Sequence, residues 1–399
     1  MTHTNRALAI SARLAIVSAC ALGVWSSWRI ARADHFFRQD TAESLRTAIR
    51  YAPDNSEYYF RLGQLDQDHA DELFETALRL NQYNAPAAIE LGLINELNGH
   101  ESQAEGLLLH AANVDRTYLP RWTLANFYLR RDDIQAFWTW ARKSAEMPSE
   151  NIGALFNLCW RVSPDPELIS QRLMNGDPEL TRQYLSFLLG KDQLVAAATT
   201  SMQLARTGAP ETDRASLFSV IDEFVAANDG AQAISLWHEL SQQRWVVADP
   251  EIPNNPNFAR EPLHVSFDWT LQMEPGLHSW PGPSGLETEF SGDEPESSTI
   301  AEQTVILAPG KYIMKYAYRT KDIAPGTGIH WQLLNAKTGL VLADSPSLSS
   351  QSLNRVVLPF SVNPENSLLS LSLIYKRALG TPRISGTLVI LSIELQRVP

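Results

Sequence analysis

Apolar residues follow three different rhythms along this chain, and each predicts a different kind of element. Residues 14–28 read LAIVSACALGVWSSW, an uncharged stretch placed after Arg6 and Arg13. That order, basic residues and then an apolar run, is the layout of an export signal or a membrane anchor. Ala31, Arg32 and Ala33 supply an A-x-A pattern for cleavage, whereas Trp25, Trp28, Arg29 and Arg32 suit an uncleaved anchor at a membrane interface. Residues 1–33 therefore predict a signal anchor or signal peptide, with membrane contact through residues 14–28. From residue 38 to residue 246 the apolar positions recur at helical spacing. From residue 263 to the end they fall in short runs rich in β-branched and aromatic residues, separated by Gly, Pro, Asn and Ser, which predict strands.

The helical region carries an internal period. Ala77, Ala111 and Ala145 are 34 residues apart, and the pairs Ala70 and Ala104, Phe74 and Leu108, and Pro86 and Pro120 repeat that spacing. A fixed period of this length identifies an array of helical hairpins. The motifs Tyr59-x-x-Leu62-Gly63 and Ala88-x-x-Leu91-Gly92 fit the first helix of such a hairpin. Ala70, Phe74 and Ala77, and then Ala104, Leu108 and Ala111, fit the second, and Pro53-Asp54-Asn55 after Ala48 fits a repeat junction. On these residues the chain resembles the tetratricopeptide repeat family. Two departures are visible: the stretch from Gly63 to Ala70 is short, and Ala125-Asn126 replaces Leu-Gly. Past residue 147 the match fades, but helical spacing continues over 178–189, 192–206, 214–227 and 231–244, with Asn228-Asp229-Gly230 as a break. The resemblance implies a solenoid whose concave groove holds a protein partner, and Tyr83, Tyr118, Trp122 and Tyr128 are the candidate groove residues.

Four prolines, Pro250, Pro253, Pro256 and Pro262, mark residues 247–262 as a linker. Beyond it the strand pattern predicts an all-β sandwich over 263–399. Tyr312, Met314, Tyr316 and Tyr318 alternate with Ile313, Lys315 and Ala317, which places the large rings on one face of a strand. Phe290-x-Gly292 and the run Gln303, Val305, Leu307, Pro309, Gly310, Tyr312 resemble the strands of jelly-roll carbohydrate-binding modules. Together, the anchor, the repeats and the Phe267-Asp268-Trp269 sandwich resemble bacterial repeat proteins associated with exopolysaccharide assembly, which implies a surface-polysaccharide setting. The predicted fold class is an all-α tetratricopeptide-like solenoid followed by an all-β jelly roll, with an N-terminal membrane helix.

Composition narrows the function. With 399 residues and a formal charge of -12, and without a run of Lys or Arg, the chain lacks the electrostatic footprint of a nucleic-acid binder. Its two cysteines, Cys20 and Cys159, form no metal-ligand spacing. The sequence has no G-x-S-x-G, H-E-x-x-H, P-loop or G-x-G-x-x-G motif, and its nine histidines are scattered, so neither an enzyme nor a cofactor is expected. A glycosidase would need paired carboxylates. Asp268, Glu287 and Glu289 are candidates, but Glu287 and Glu289 are two apart and read as one solvated strand face. Trp280, Trp331 and His330 are the candidate glycan-stacking residues, and Trp280 stands out because it sits among Gly and Pro. Two readings result: a non-catalytic, membrane-anchored extracytoplasmic scaffold for protein partners, or a carbohydrate-binding protein. If the signal is cleaved, the protein is secreted.

Overall fold

The computed structural model describes the chain except residues 1, 149–151, 175, 365–366 and 399, and gives the backbone alone for residues 2–12 and 15. Arg6 thus lies outside the described side chains. The chain forms two compact units, 1–175 and 176–399.

The first unit is helical: α1 Thr2–Phe37, α2 Ala42–Tyr51, α3 Ser56–Leu65, a 3-10 turn at Gln67–His69, α4 Ala70–Leu80, α5 Ala85–Leu97, α6 Glu101–Val114, α7 Tyr118–Arg130, α8 Ile134–Ala145, α9 Ile152–Val162 and α10 Pro166–Leu173. Side chains at the N-caps start several of them. Thr41, Asn55, Asn84, Asp133 and Asp165 each accept a hydrogen bond from a backbone N–H of the first turn. Consecutive helices pair as hairpins, and the period explains how. A Cβ built on Gly63 would lie 2.7 Å from Phe74 Cε1, and one on Gly92 would lie 3.0 Å from Leu108 Cδ2. Glycine on the first helix therefore lets the bulky residue of the second sit against bare backbone. The helices α9 and α10 fall where the sequence period had faded.

One helix, α1, has two environments. Its end is built into the first hairpin: Ala33 is fully buried with Ala48, Ala52 and Tyr58, and Phe36, Phe37 and Tyr51 pack against that cluster. Asp34 Oδ1 accepts from the Tyr58 hydroxyl at 3.1 Å. Upstream, Leu14, Ile16, Val17, Leu22, Val24, Trp25, Trp28 and Ile30 are between 48% and 72% exposed. No helix among the described residues is long and apolar enough to cross a membrane.

The second unit begins with four helices, α11 Pro178–Leu189, α12 Leu194–Thr207, α13 Pro210–Ala226 and α14 Gly230–Gln242. Asp213 is buried between them, accepting from Arg182 Nε at 2.5 Å and from the Ala209 N–H at 2.8 Å. Among the described residues ten strands follow: β1 Thr270–Leu271, β2 Leu277–Gly282, β3 Gly285–Phe290, β4 Ser297–Ile306, β5 Gly310–Lys321, β6 Ile329–Asn335, β7 Val341–Asp344, β8 Asn354–Val362, β9 Leu368–Lys376 and β10 Gly386–Arg397. They make two antiparallel five-stranded sheets, β1-β4-β9-β6-β7 and β2-β3-β10-β5-β8. Inward residues of both, including Trp269, Trp331, Met314, Leu371 and Ile390, form one core.

Residues 247–262 differ from the tether that their prolines suggested. Phe258 is fully buried in the sandwich core, its ring 4.7 Å from that of Trp269. The Leu395 N–H donates to the Ile252 carbonyl at 2.6 Å and the Ile393 N–H to that of Pro256 at 2.8 Å. Buried Gln303 exchanges two hydrogen bonds with the Asn254 backbone, at 2.7 and 3.0 Å. Proline forbids helix here but not an extended strap that borrows partners from a strand. The helices also contact the sandwich: Trp237 lies 6.1 Å from Phe267, and Asp222 accepts from the Ser266 N–H at 3.0 Å.

Candidate functional site

The sheet β2-β3-β10-β5-β8 turns one face to the core and the other outward, and strand pairing sets which residues share the outer face. Across neighbouring strands, Trp280 pairs with Glu287, Glu287 with Val389, and Val389 with Arg319. The adjacent outward row runs His278, Glu289, Thr387 and Lys321. The His278 and Trp280 rings lie 5.0 Å apart and form a small aromatic platform on the edge strand. At the other end of the rows, Arg319, Lys321, Asp322, Gln351, Thr387 and Val389 line an open cleft of about 400 Å³. A flat ring beside hydrogen-bonding and charged groups is the chemistry that holds a sugar: the ring covers an apolar face while the polar groups take hydroxyls.

The structure sorts the residues that the sequence singled out. Trp280 is partly exposed on this face. Trp331 points the opposite way from the surface: it is 0% exposed, 5.9 Å from Trp269, in the run Ile329, Trp331, Leu333 that fills the core. It therefore presents no ring to a ligand, a correction that follows from the two-residue period of β6. His330 lies on the other sheet, its Nε2 3.3 Å from Asp344 Oδ1 and its Nδ1 3.0 Å from the Gly328 carbonyl. Trp280 and His330 are thus not brought together. Asp268 is also apart from Glu287 and Glu289. It is buried and accepts from the Trp269 N–H at 2.8 Å and the Leu263 N–H at 3.3 Å; burial pushes its carboxyl up. It staples a loop rather than facing a cleft.

In the helical array, Tyr83 is 68% exposed in the turn before α5. Tyr118 and Trp122 stack on α7 with centroids 6.5 Å apart, and among the described residues neither the Tyr118 hydroxyl nor the Trp122 indole N–H has a partner. Burial raises the Tyr118 pKa. Tyr128 is buried, and its hydroxyl donates to Glu105 Oε1 at 2.6 Å. Burial and Glu105 push that hydroxyl up to about 12. At 8% exposure Tyr128 presents little of its ring to a groove. Buried Cys159, its thiol pushed up to about 12 by burial, is protonated at neutral pH.

Sequence reasoning missed His278, Arg319 and Lys321. The signal was present in the alternation of β5: once the tyrosines face the core, Lys315, Arg319 and Lys321 must face out.

No family model matches the chain, and no curated protein does. Among solved structures the chain is similar to YrrB, described as a TPR protein with an unusual peptide-binding site, at 12% identity over 51% of this chain and 94% of that one, with a TM-score of 0.26. It is similar to a CBM4 at 11% identity, covering 37% of this chain and 99% of that one, TM-score 0.29. It is also similar to TmCBM61, solved in complex with β-1,4-galactotriose, at 14% identity, covering 38% and 100%, TM-score 0.27.

Proposed function

We propose that this chain is a membrane-attached, extracytoplasmic, non-catalytic scaffold that holds protein partners along its helical hairpins, in the setting of exopolysaccharide assembly or secretion. The observation that carries the attachment is the change of environment along α1. At about 100° per residue, the exposed apolar side chains between Leu14 and Ile30 fall on all sides of the helix rather than in one stripe. A stripe would fit a protein groove; an all-round apolar surface calls for burial on every side, which lipid provides. The same helix ends inside the first hairpin, so the array is coupled to whatever holds its beginning. Ala33, the last residue of the A-x-A pattern, lies in that hairpin core, which supports retention of the segment over cleavage. Deletion of residues 1–27 tests this reading: the shortened protein is expected to leave the membrane fraction and keep its helicity, and membrane retention after a carbonate wash would refute it.

A second reading, glycan binding, is favoured by one specific observation, the His278 and Trp280 platform in register with polar side chains across the sheet. Titration with neutral oligosaccharides, comparing the full chain with Trp280→Ala, tests it: binding that the substitution weakens supports the reading.

A further inference from the structure

The sandwich carries a concentration of positive charge that neither reading explains. In a chain with a formal charge of -12, Lys311, Lys315, Arg319 and Lys321 all project outward from β5, and Arg355 joins them from β8 where it pairs with Ala317. Among the described residues none of these five cations is in an ion pair; Lys315 bonds only to the neutral amide of Gln396. Two of them, Arg319 and Lys321, stand at the lip of the cleft of about 400 Å³. Thr320, between them in sequence, contributes to the lining, but its side chain turns to the core with Tyr316 and Tyr318 and does not stand beside the two cations. Two cations without an ion-pair partner at the lip of a cleft suit an anionic guest.

We propose that this cleft takes the carboxylate of an acidic glycan whose neighbouring rings run across the sheet to Trp280. This inference rests on the glycan reading and specifies its ligand class. Pairing places Arg319, Val389, Glu287 and Trp280 in a single row, and three strand spacings of about 4.8 Å each make that row about 14 Å long, the reach of a short oligosaccharide. The groups along it and in the adjacent row differ in kind. The Arg319 guanidinium offers paired donors to a carboxylate, Val389 lies beneath the middle of the row, Glu287 and Glu289 accept from sugar hydroxyls, and the indole closes the far end. The interleaved carboxylates decide between two polyanions. An anionic bilayer presents a continuous negative surface to Glu287, Glu289 and Asp322 as well as to the cations, whereas a uronic-acid chain can set its hydroxyls on the carboxylates and its carboxylates on the cations.

The experiment is calorimetric titration of the full chain with short oligomers of galacturonate, mannuronate and hyaluronan, and with galacturonate oligomers whose carboxyls are methyl-esterified. The free acids are expected to bind and the esters to bind at least about tenfold more weakly, as loss of a charge-assisted hydrogen bond implies. Arg319→Ala with Lys321→Ala should weaken the acids by a similar factor and leave the esters unchanged. Because both side chains point to solvent, this variant should melt with the parent, and a lowered melting temperature would call for repeating the titration with Arg319→Gln and Lys321→Gln. Trp280→Ala should weaken acids and esters alike. Equal binding of acid and ester, or acid binding that survives the double substitution, would overturn the proposal while leaving the glycan reading in place. Failure of every acid and ester to bind at millimolar concentration would overturn the proposal, and failure of the neutral oligosaccharides as well would overturn the glycan reading. Binding of anionic vesicles, abolished by the double substitution in the absence of any binding to the acids, would assign the stripe to a lipid surface instead.

Discussion

Starting the chain at Leu263 removes the strap over 247–262 and tests whether the sandwich is an independent body. Phe258, whose ring stacks 4.7 Å from Trp269 in the core, is lost; emptying a buried phenylalanine site costs about 3–5 kcal/mol. Five hydrogen bonds go with it: two between Gln303 and the Asn254 backbone, one from the Trp269 indole to the Asn255 carbonyl, and those from the Ile393 and Leu395 amides. At about 1 kcal/mol each these add about 5 kcal/mol, and Gln303, only 2% exposed, is left with an unpaired buried amide. The total, about 8–10 kcal/mol, consumes most of the stability of a typical domain, about 5–15 kcal/mol. Near-UV circular dichroism and thermal melts of fragments 263–399, 247–399 and 176–399 are the assay. The shortest should show no cooperative transition, and the longest, which keeps the contacts of Trp237 and Asp222 with the sandwich, should be the most stable. A cooperative melt of 263–399 within a few degrees of 176–399 would refute the reasoning and restore the proline stretch as a free linker.

Other consequences are measurable in the same way. Trp331→Ala should destabilise the second unit by about 3–5 kcal/mol, read by denaturant unfolding, whereas Trp280→Ala should change stability by less than about 1 kcal/mol. For Asp213, burial alone would raise the pKa, but the Arg182 guanidinium and the Ala209 N–H outweigh it and hold the carboxyl below the usual range. A depressed pKa means stability that is present above the unfolded value near 3.8 and is lost as the pH falls through the folded one. Asp213→Asn should therefore lower stability at pH 7 and flatten the acid side of the stability profile, which denaturant titrations between neutral and acidic pH would show. Deleting residues 1–37 rather than 1–27 should lower the melting temperature of the first unit, because Ala33, Phe36 and Phe37 leave the cluster around Tyr58.

What could be read from the sequence depended on whether the physics was local. The spacing of Ala77 and Ala111 with Phe74 and Leu108 foretold hairpins because a glycine on one helix and a bulky residue on the next is a contact repeated at fixed intervals. The two-residue period of the strands contained the fate of Trp331, which shares a face with Ile329 and Leu333, and the outward placement of Arg319 and Lys321. It could not tell which strands become neighbours. The row from Trp280 to Arg319 joins β2, β3, β10 and β5, so Arg319 and Trp280 meet one face only through a strand from the far end of the chain. The strap was misread for the same reason: its hydrogen-bond partners are Gln303, Ile393 and Leu395, 49 residues away from Asn254 in the case of Gln303. Likewise, the A-x-A pattern carries no sign that Ala33 packs with Ala48, Ala52 and Tyr58, which lie further along the chain.

The proposed attachment of the array to a membrane through α1 is tested most directly by liposome flotation of the full chain beside a variant in which Val17, Leu22 and Val24 are all changed to Lys. These side chains are 65%, 68% and 72% exposed and touch no part of the hairpin core, so the variant should melt like the parent. A lysine in the apolar region of a bilayer costs up to about 3 kcal/mol, so the parent should float with the vesicles and the variant should stay at the bottom of the gradient. Flotation of the variant to the same extent as the parent would contradict membrane attachment through this segment.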